Sequence, residues 1–226
     1  MTVTTTTALT RAAGLSAAAA GAIFVGVQIG HPPLDVASIA TTEMAVRGTA
    51  KFVMGALALA GITGMYLRQV RQVGVLGLVG YLLFGAFYLL LMPVEFVAAY
   101  VLPTVADTAP GYVGDVLAAS TGGTAAGDIG PLQAVFVASG VLYMAGGLVF
   151  GIALFRAGIL ARWASALLAA GTVATLALAV LPDSFNRPFA VPTGVALVGL
   201  GLSLWRDQRR PAAPPAGRTA ELAGSR

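Results

Sequence analysis

The sequence predicts an all-α integral membrane protein, a polytopic bundle of six transmembrane helices. Hydrophobic residues make up 58% of the 226-residue chain and charged residues only 10%, whereas a soluble domain carries about 25% charged residues. A chain of this length cannot bury so much apolar side chain in water. Six apolar segments approach the roughly 20 residues that a helix needs to cross a bilayer. The composition excludes a soluble enzyme and a nucleic-acid-binding domain.

Each predicted helix corresponds to one continuous apolar segment without the alternation of a barrel strand. The predicted spans are 12–30, 49–67, 74–102, 132–155, 163–181 and 189–205. The third segment is about 43 Å long at 1.5 Å per residue, which predicts a tilt or a bend. Pro93 lies within it and offers such a bend.

Basic residues predict the orientation of the bundle. Cytoplasmic loops are enriched in Lys and Arg. Ten of the thirteen basic residues lie before the first segment, in the second and fourth loops, or after the last segment. Both termini are therefore predicted to be cytoplasmic.

Residues 1–11 are predicted to form a short cytoplasmic N-terminus, 12–205 the membrane domain, and 206–226 a cytoplasmic tail. The tail is basic and then rich in Pro and Ala, which predicts disorder.

A second interpretation of the first segment is a cleaved signal peptide. Its apolar stretch is longer than the usual 7 to 15 residues or so, and no A-x-A site follows it, so we predict a transmembrane helix.

Seven ionisable residues are predicted to gather at the noncytoplasmic rim. Counting helical rise from the cytoplasmic ends places both Arg47 and Glu95 about 31 Å away. Charges at this depth are costly and need partners, so we predict that Glu95 pairs with Lys51 or Arg47, and Glu43 with Arg47 four residues later. The candidate polar site consists of His31, Glu43, Arg47, Lys51, Glu95, Asp183 and Arg187.

Two roles are open for these residues. One is a ligand pocket facing the outer leaflet or the outer water. The other is structural, with long side chains reaching the headgroups and Glu95 holding the second and third helices together. The loop 103–131 carries three Asp and a short apolar patch. It is either a lid over the pocket or an exposed flexible connection.

Familiar catalytic signatures are absent from the sequence. There is no cysteine and a single histidine, which excludes thiolate metal sites and a multi-histidine cage. Lys51 is the only lysine, so a P-loop is impossible. Neither H-E-x-x-H nor G-x-S-x-G occurs. No cofactor or metal is predicted.

Several short motifs resemble those of a bacterial family. They are Gly64-Met65-Tyr66-Leu67-Arg68-Gln69, the stretch 74–81 (GVLGLVGY), Glu95-Phe96-Val97 with Leu102-Pro103, the turn 150–164, and His31-Pro32. These motifs resemble uncharacterised bacterial six-span integral membrane proteins that contain a domain of unknown function. The resemblance implies a six-helix fold in the bacterial cytoplasmic membrane, and it implies no activity.

Two functional classes remain from the sequence. The favoured one is a noncatalytic membrane module that binds a lipid-like or small apolar ligand, or supports a partner protein. The alternative is an intramembrane enzyme acting on a prenyl or lipid substrate, with Glu95 as acid or base and with Arg47 and Lys51 holding an anionic head group. Small residues spaced four apart favour close helix packing within one chain, with dimerisation as the alternative.

Overall fold

The computed structural model describes residues 5–179, 181 and 185–207. Throughout these residues the secondary structure is helical, with no strand. Five helices in the described part are long and apolar enough to cross a membrane: Thr6–Gly26, Thr42–Arg68, Val70–Val105, Leu132–Ala157 and Arg187–Asp207. The fold is therefore that of a helical membrane protein.

The helices follow one another along the chain with short connections. In order they are α1 (Thr6–Gly26), α2 (Val36–Ile39), α3 (Thr42–Arg68), α4 (Val70–Phe96), a π-helical turn (Val97–Val101), α5 (Leu102–Val105), α6 (Pro110–Ser120), α7 (Leu132–Ala157), α8 (Arg162–Ala174), a 3-10 turn (Thr175–Ala179) and α9 (Asn186–Asp207).

Six of these helices pack side by side in a closed ring. The order around the ring is α1, α3, α4, α7, α8 and α9, and α9 packs back against α1. Glycines allow the close approaches: a Cβ added at Gly146 of α7 would lie 2.5 Å from the backbone nitrogen of Phe84 in α4. The centre of the ring is filled by large side chains such as Phe84, Tyr88 and Phe150, all fully buried. Leu82, Leu89 and other apolar side chains are exposed on the outside, where lipid would cover them.

Several spans differ in extent from the prediction: the second and third begin earlier, at Thr42 and Val70, and the first and fifth differ as follows. The first helix begins earlier than expected, because the Thr5 side chain accepts a hydrogen bond from the Ala8 backbone and caps it. It ends at Gly26 rather than residue 30. The predicted fifth span is a shorter apolar helix, Arg162–Leu178. Its last turn tightens at Thr175, whose hydroxyl donates to the Thr172 carbonyl over 2.6 Å.

The third span is continuous but irregular. Gly74 has φ +55° and ψ −151° inside α4, a conformation open to glycine, and it bends the chain near the start of the helix. Pro93 lies within α4, and the π-helical turn begins four residues later. The kink thus lies at Gly74, and the π-helical turn is a second irregularity that follows Pro93, where the sequence predicts the bend.

The predicted loop 103–131 is folded, which corrects the expectation of an exposed flexible connection. Its centre is α6, and Val113, Val116 and Leu117 are buried in a second apolar cluster with Ile39 of α2. The Asp115 carboxylate accepts hydrogen bonds from the backbone nitrogens of residues 126 and 127, both over 2.9 Å. Tertiary packing explains the difference, because one face of α6 packs against α2, α5 and α7. We call α2 and α6 together the cap.

Candidate functional site

The structure gathers the predicted polar residues at the capped end of the ring. We call His31, Glu43, Arg47, Lys51, Glu95 and Arg187 the rim cluster. His31 lies in the connection from α1 to α2, three members lie in α3, Glu95 lies in α4, and Arg187 begins α9. Asp183, the seventh predicted member, lies outside the described residues.

Lys51 and Glu95 form an ion pair between α3 and α4. The Lys51 Nζ lies 3.4 Å from Glu95 Oε1, and the side chains are only 18% and 12% exposed. Gly48 and Gly55 flank Lys51 on the same face of α3. Cβ atoms added there would lie 2.9 Å from Ala99 of the π-helical turn and from Met92 of α4, respectively. These glycines bring α4 close enough for the pair to form. Of the two partners that the sequence allows for Glu95, the structure thus shows Lys51.

Arg47 is fully engaged in holding the end of α1. Its guanidinium lies 2.8 Å from Glu43 Oε1, as the four-residue spacing predicted. It also donates to the carbonyls of Val27 (2.9 Å), Ile29 (3.1 Å) and Gly30 (3.1 Å). These carbonyls belong to the C-cap residue Val27 and to the turn that follows α1, so Arg47 fixes the chain where the helix ends. This role was missed from the sequence, and it removes Arg47 from the residues expected to hold a head group.

His31 is a neutral hydrogen-bond acceptor in this cluster. Burial lowers its pKa to about 4, and the positive charges of Arg187, Lys51 and Arg47 act in the same direction, whereas the bond to Pro32 opposes them. Its Nδ1 lies 2.7 Å from the Pro32 carbonyl oxygen. Because a carbonyl only accepts, Nδ1 carries the proton and Nε2 has the free lone pair. Among the described residues nothing pairs with this buried Nε2.

Asp35, beside the cluster, has a different role. Its carboxylate accepts a hydrogen bond of 2.7 Å from the Ser38 backbone and caps α2. This bond, with further help from the Ser38 side chain, lowers the pKa of the carboxyl group. Asp35 therefore stabilises the start of α2 in the cap, and we do not count it in the rim cluster.

Arg187 has no ion-pair partner in the described part of the chain. Its side chain is half-buried, and it lies close enough to interact electrostatically with Glu95 and Arg47. No described carboxylate lies within 4.0 Å of its guanidinium. With His31 neutral, the described rim cluster holds three cationic side chains and two carboxylates. It therefore carries one positive charge in excess.

Hydroxyl groups line the interior of the ring below the rim cluster, and sequence analysis missed them. Tyr88 lies seven residues before Glu95, on the same face of α4 and about 10 Å deeper. Its side chain is fully buried, and its hydroxyl has no partner among the described residues. Tyr143 of α7 shares a hydrogen bond of 2.6 Å with Thr193 of α9. The sequence feature that could have revealed these hydroxyl groups is the presence of polar side chains inside otherwise apolar spans.

An apolar groove lies on the outward side of α3 at the level of Lys51. Its volume is about 460 Å³, and Ile23, Val46, Ala50, Val53 and Tyr100 line it. The Tyr100 hydroxyl shares a 2.6 Å hydrogen bond with the Thr49 hydroxyl, which leaves the groove surface almost wholly apolar. Such a groove offers an acyl or prenyl chain a place beside the rim cluster.

The described residues contain no group of three or more His, Asp or Glu side chains arranged to hold a metal ion. The chemistry of the rim cluster is therefore that of cationic donors, one neutral acceptor and two carboxylates already in ion pairs. Comparisons with protein-family models, curated proteins and solved structures find no match for this chain.

Proposed function

We propose that this protein is a noncatalytic module of the bacterial cytoplasmic membrane that binds a lipid-like ligand at the noncytoplasmic end of its bundle. In this proposal α8 and the 3-10 turn after it form the sixth span, both termini are cytoplasmic, and the cap lies outside. The distribution of basic residues supports this orientation. The closed ring supports the sixth span, because α8 packs between α7 and α9.

One observation carries the binding proposal: the half-buried Arg187 beside the Lys51–Glu95 pair, without a described carboxylate of its own. A desolvated cation needs a counter-charge. A ligand with a polar head and an apolar tail would supply this charge at the rim cluster and lay its chain along the adjacent groove.

The catalytic alternative has less support. An enzyme of the predicted kind needs Glu95 free to transfer a proton and two basic residues free to hold a head group. Here Glu95 is paired with Lys51, and Arg47 is bound to Glu43 and to the end of α1. Only Arg187 is left to hold a head group, so binding without chemistry accounts for the arrangement better.

Cysteine labelling tests the topology directly, because the chain has no cysteine of its own. Thr124→Cys, in the exposed loop after α6, should react with a membrane-impermeant maleimide in intact cells. Gln72→Cys, at an exposed position in the first turn of α4, should react only after the membrane is permeabilised. The reverse labelling pattern would contradict the orientation and place the rim cluster in the cytoplasm.

Analysis of co-purified molecules tests ligand binding. We expect the protein purified in mild detergent to retain one amphipathic molecule per chain, detected by native mass spectrometry. Arg187→Gln, which removes the half-buried cation that the ligand would neutralise, should retain much less of it. Arg206→Gln is the matched control, since it removes the same charge from an exposed arginine at the opposite end of α9, and it should retain the molecule. Equal retention in all three proteins, or no retained molecule in any of them, would contradict the proposal.

A further inference from the structure

The rim cluster itself specifies the chemistry of the head group. We infer that the ligand carries an anionic phosphate ester with a hydroxyl group beside it, bound between Arg187 and His31. This inference rests on the proposed ligand-binding function and names the class of molecule that the site selects.

Arg187 is the group that selects an anion. Arg47 and Lys51 each have a carboxylate, and in the described chain Arg187 has none. A guanidinium presents several N–H donors in one plane, and this fork matches two oxygens of a phosphate. A phosphodiester offers two such oxygens and one negative charge to this guanidinium.

His31 is the group that selects a hydroxyl. Its Nδ1 is committed to the Pro32 carbonyl, so the buried Nε2 offers a lone pair and no proton. A lone pair facing an anionic oxygen is repulsive, whereas one facing an O–H group forms a hydrogen bond. The head group must therefore bring a hydroxyl donor to His31 while its phosphate meets Arg187.

The same positive charges exclude the common zwitterionic head groups. Choline carries a fixed positive charge without any N–H or O–H donor, so it would repel Arg187 and offer no hydrogen bond to the His31 Nε2. Ethanolamine has N–H donors but is also cationic at neutral pH. Like charges at short range are unfavourable where the dielectric constant is low. A phosphate ester of glycerol or of a sugar alcohol meets both requirements without this repulsion.

Binding of defined lipids to delipidated protein in detergent micelles tests the inference. The probes are dioleoyl phosphatidylglycerol, phosphatidylmethanol (anionic but without a hydroxyl) and phosphatidylcholine, titrated separately and followed by native mass spectrometry. We expect phosphatidylglycerol to bind most tightly, then phosphatidylmethanol, then phosphatidylcholine. Arg187→Gln should weaken phosphatidylglycerol binding about tenfold or more, the effect of losing a charge-assisted hydrogen bond.

His31→Leu tests the hydroxyl requirement. It should abolish the preference for phosphatidylglycerol over phosphatidylmethanol and leave phosphatidylmethanol binding unchanged. Arg206→Gln is the matched control, because this exposed arginine lies at the opposite end of the same helix, α9. It should behave like the unaltered protein. Melting temperatures of all variants show whether each remains folded, and Arg187→Lys keeps the charge if Arg187→Gln does not fold.

The outcomes separate this inference from the proposed function. Tight binding of phosphatidylcholine that is insensitive to Arg187→Gln would overturn the head-group assignment and leave lipid binding intact. Failure of every lipid to bind would overturn the proposed function itself. A parallel titration with sodium phosphate identifies the source: displacement of phosphatidylglycerol by millimolar phosphate supports the same chemistry with a free anion, and no displacement supports a lipid.

Discussion

The ion pair between Lys51 and Glu95 should hold α3 against α4, and Glu95→Gln tests how strongly. At 3.4 Å and an effective dielectric constant of about 20, the attraction between the two charges is about 5 kcal/mol. Part of this is offset by the loss of hydration, since both groups are largely buried. Removing one partner leaves a buried Lys51 cation near Arg187, and breaking such pairs costs about 3 kcal/mol.

In a thermal melt this loss is easily measured. A chain of this size changes its melting temperature by about 2–4 °C per kcal/mol, so Glu95→Gln should lower it by roughly 6–12 °C in detergent. Adding Lys51→Met removes the stranded charge and should recover about half of the loss, which a double-mutant cycle quantifies. Glu43→Gln is the control, because exposed pairs contribute only about 0–1 kcal/mol and Arg47 keeps its three carbonyl partners.

Two results would refute this reasoning. Equal melting temperatures for Glu95→Gln and Glu43→Gln would show that the pair does not stabilise the bundle. Additive losses in the double variant would show that the two side chains do not interact. A stable Glu95→Gln protein that no longer binds any lipid would instead assign Glu95 to the ligand site, where groups are often held at a cost to stability.

Three further predictions follow from other parts of the fold. Tyr88→Phe removes a buried hydroxyl without a described partner and should leave the melting temperature unchanged or raise it; a clear fall would reveal a partner. His31 is neutral when folded, with a pKa of about 4 against 6.5 unfolded, so the unfolded chain binds the extra proton and stability falls as pH drops from about 6.5 to 4. His31→Gln should flatten that part of the stability profile, and an unchanged profile would contradict the assignment. Gly146→Ala places a methyl group against the backbone of Phe84 and should cost about 1–3 kcal/mol, whereas Gly140→Ala, which meets nothing within 4 Å, should not destabilise the same helix; equal melting temperatures would argue against the ring.

The spans were predictable because their signal is long and one-dimensional. A continuous apolar segment fixes a helix regardless of its neighbours, and five such helices appear in the described structure. The helix that begins at Arg162 is shorter than the predicted span, because the residue at which it ends depends on local geometry. At Thr175 a side-chain hydrogen bond accompanies the tightening of the helix, and composition does not encode this event.

The cap was not predictable to the same degree. In the sequence, the cap appears only as a short apolar patch within a polar loop, formed by Val113, Val116 and Leu117. A patch of this length does not show whether the loop is a lid or a flexible connection. The burial of these three side chains depends on Ile39 of α2, which is distant in sequence and meets them only in the folded chain. Tertiary packing, rather than local pattern, determined this element.

The sequence predicts which residues belong to the candidate site, but it predicts the role of only some of them. Helical rise along two spans places Arg47 and Glu95 at one depth, with Lys51 one turn deeper, and the fixed pitch of a helix is enough to bring these residues together in the prediction. The hydrogen bonds from Arg47 to the end of α1 could not be predicted from the sequence, because they depend on the residue at which α1 ends. The sequence allows either Lys51 or Arg47 as the partner of Glu95. In the structure the partner is Lys51, because Arg47 is bound to Glu43 and to the end of α1.

A structure of the protein in nanodiscs that contain both phosphatidylglycerol and phosphatidylcholine tests the central claim most directly. The account predicts lipid density at the capped end, with a head group within about 4 Å of the Arg187 guanidinium, the range of a charge-assisted contact. The His31 Nε2 should face a hydroxyl of that head group. A map with no lipid at this position, and with Arg187 extended into water away from Glu95, would contradict the account.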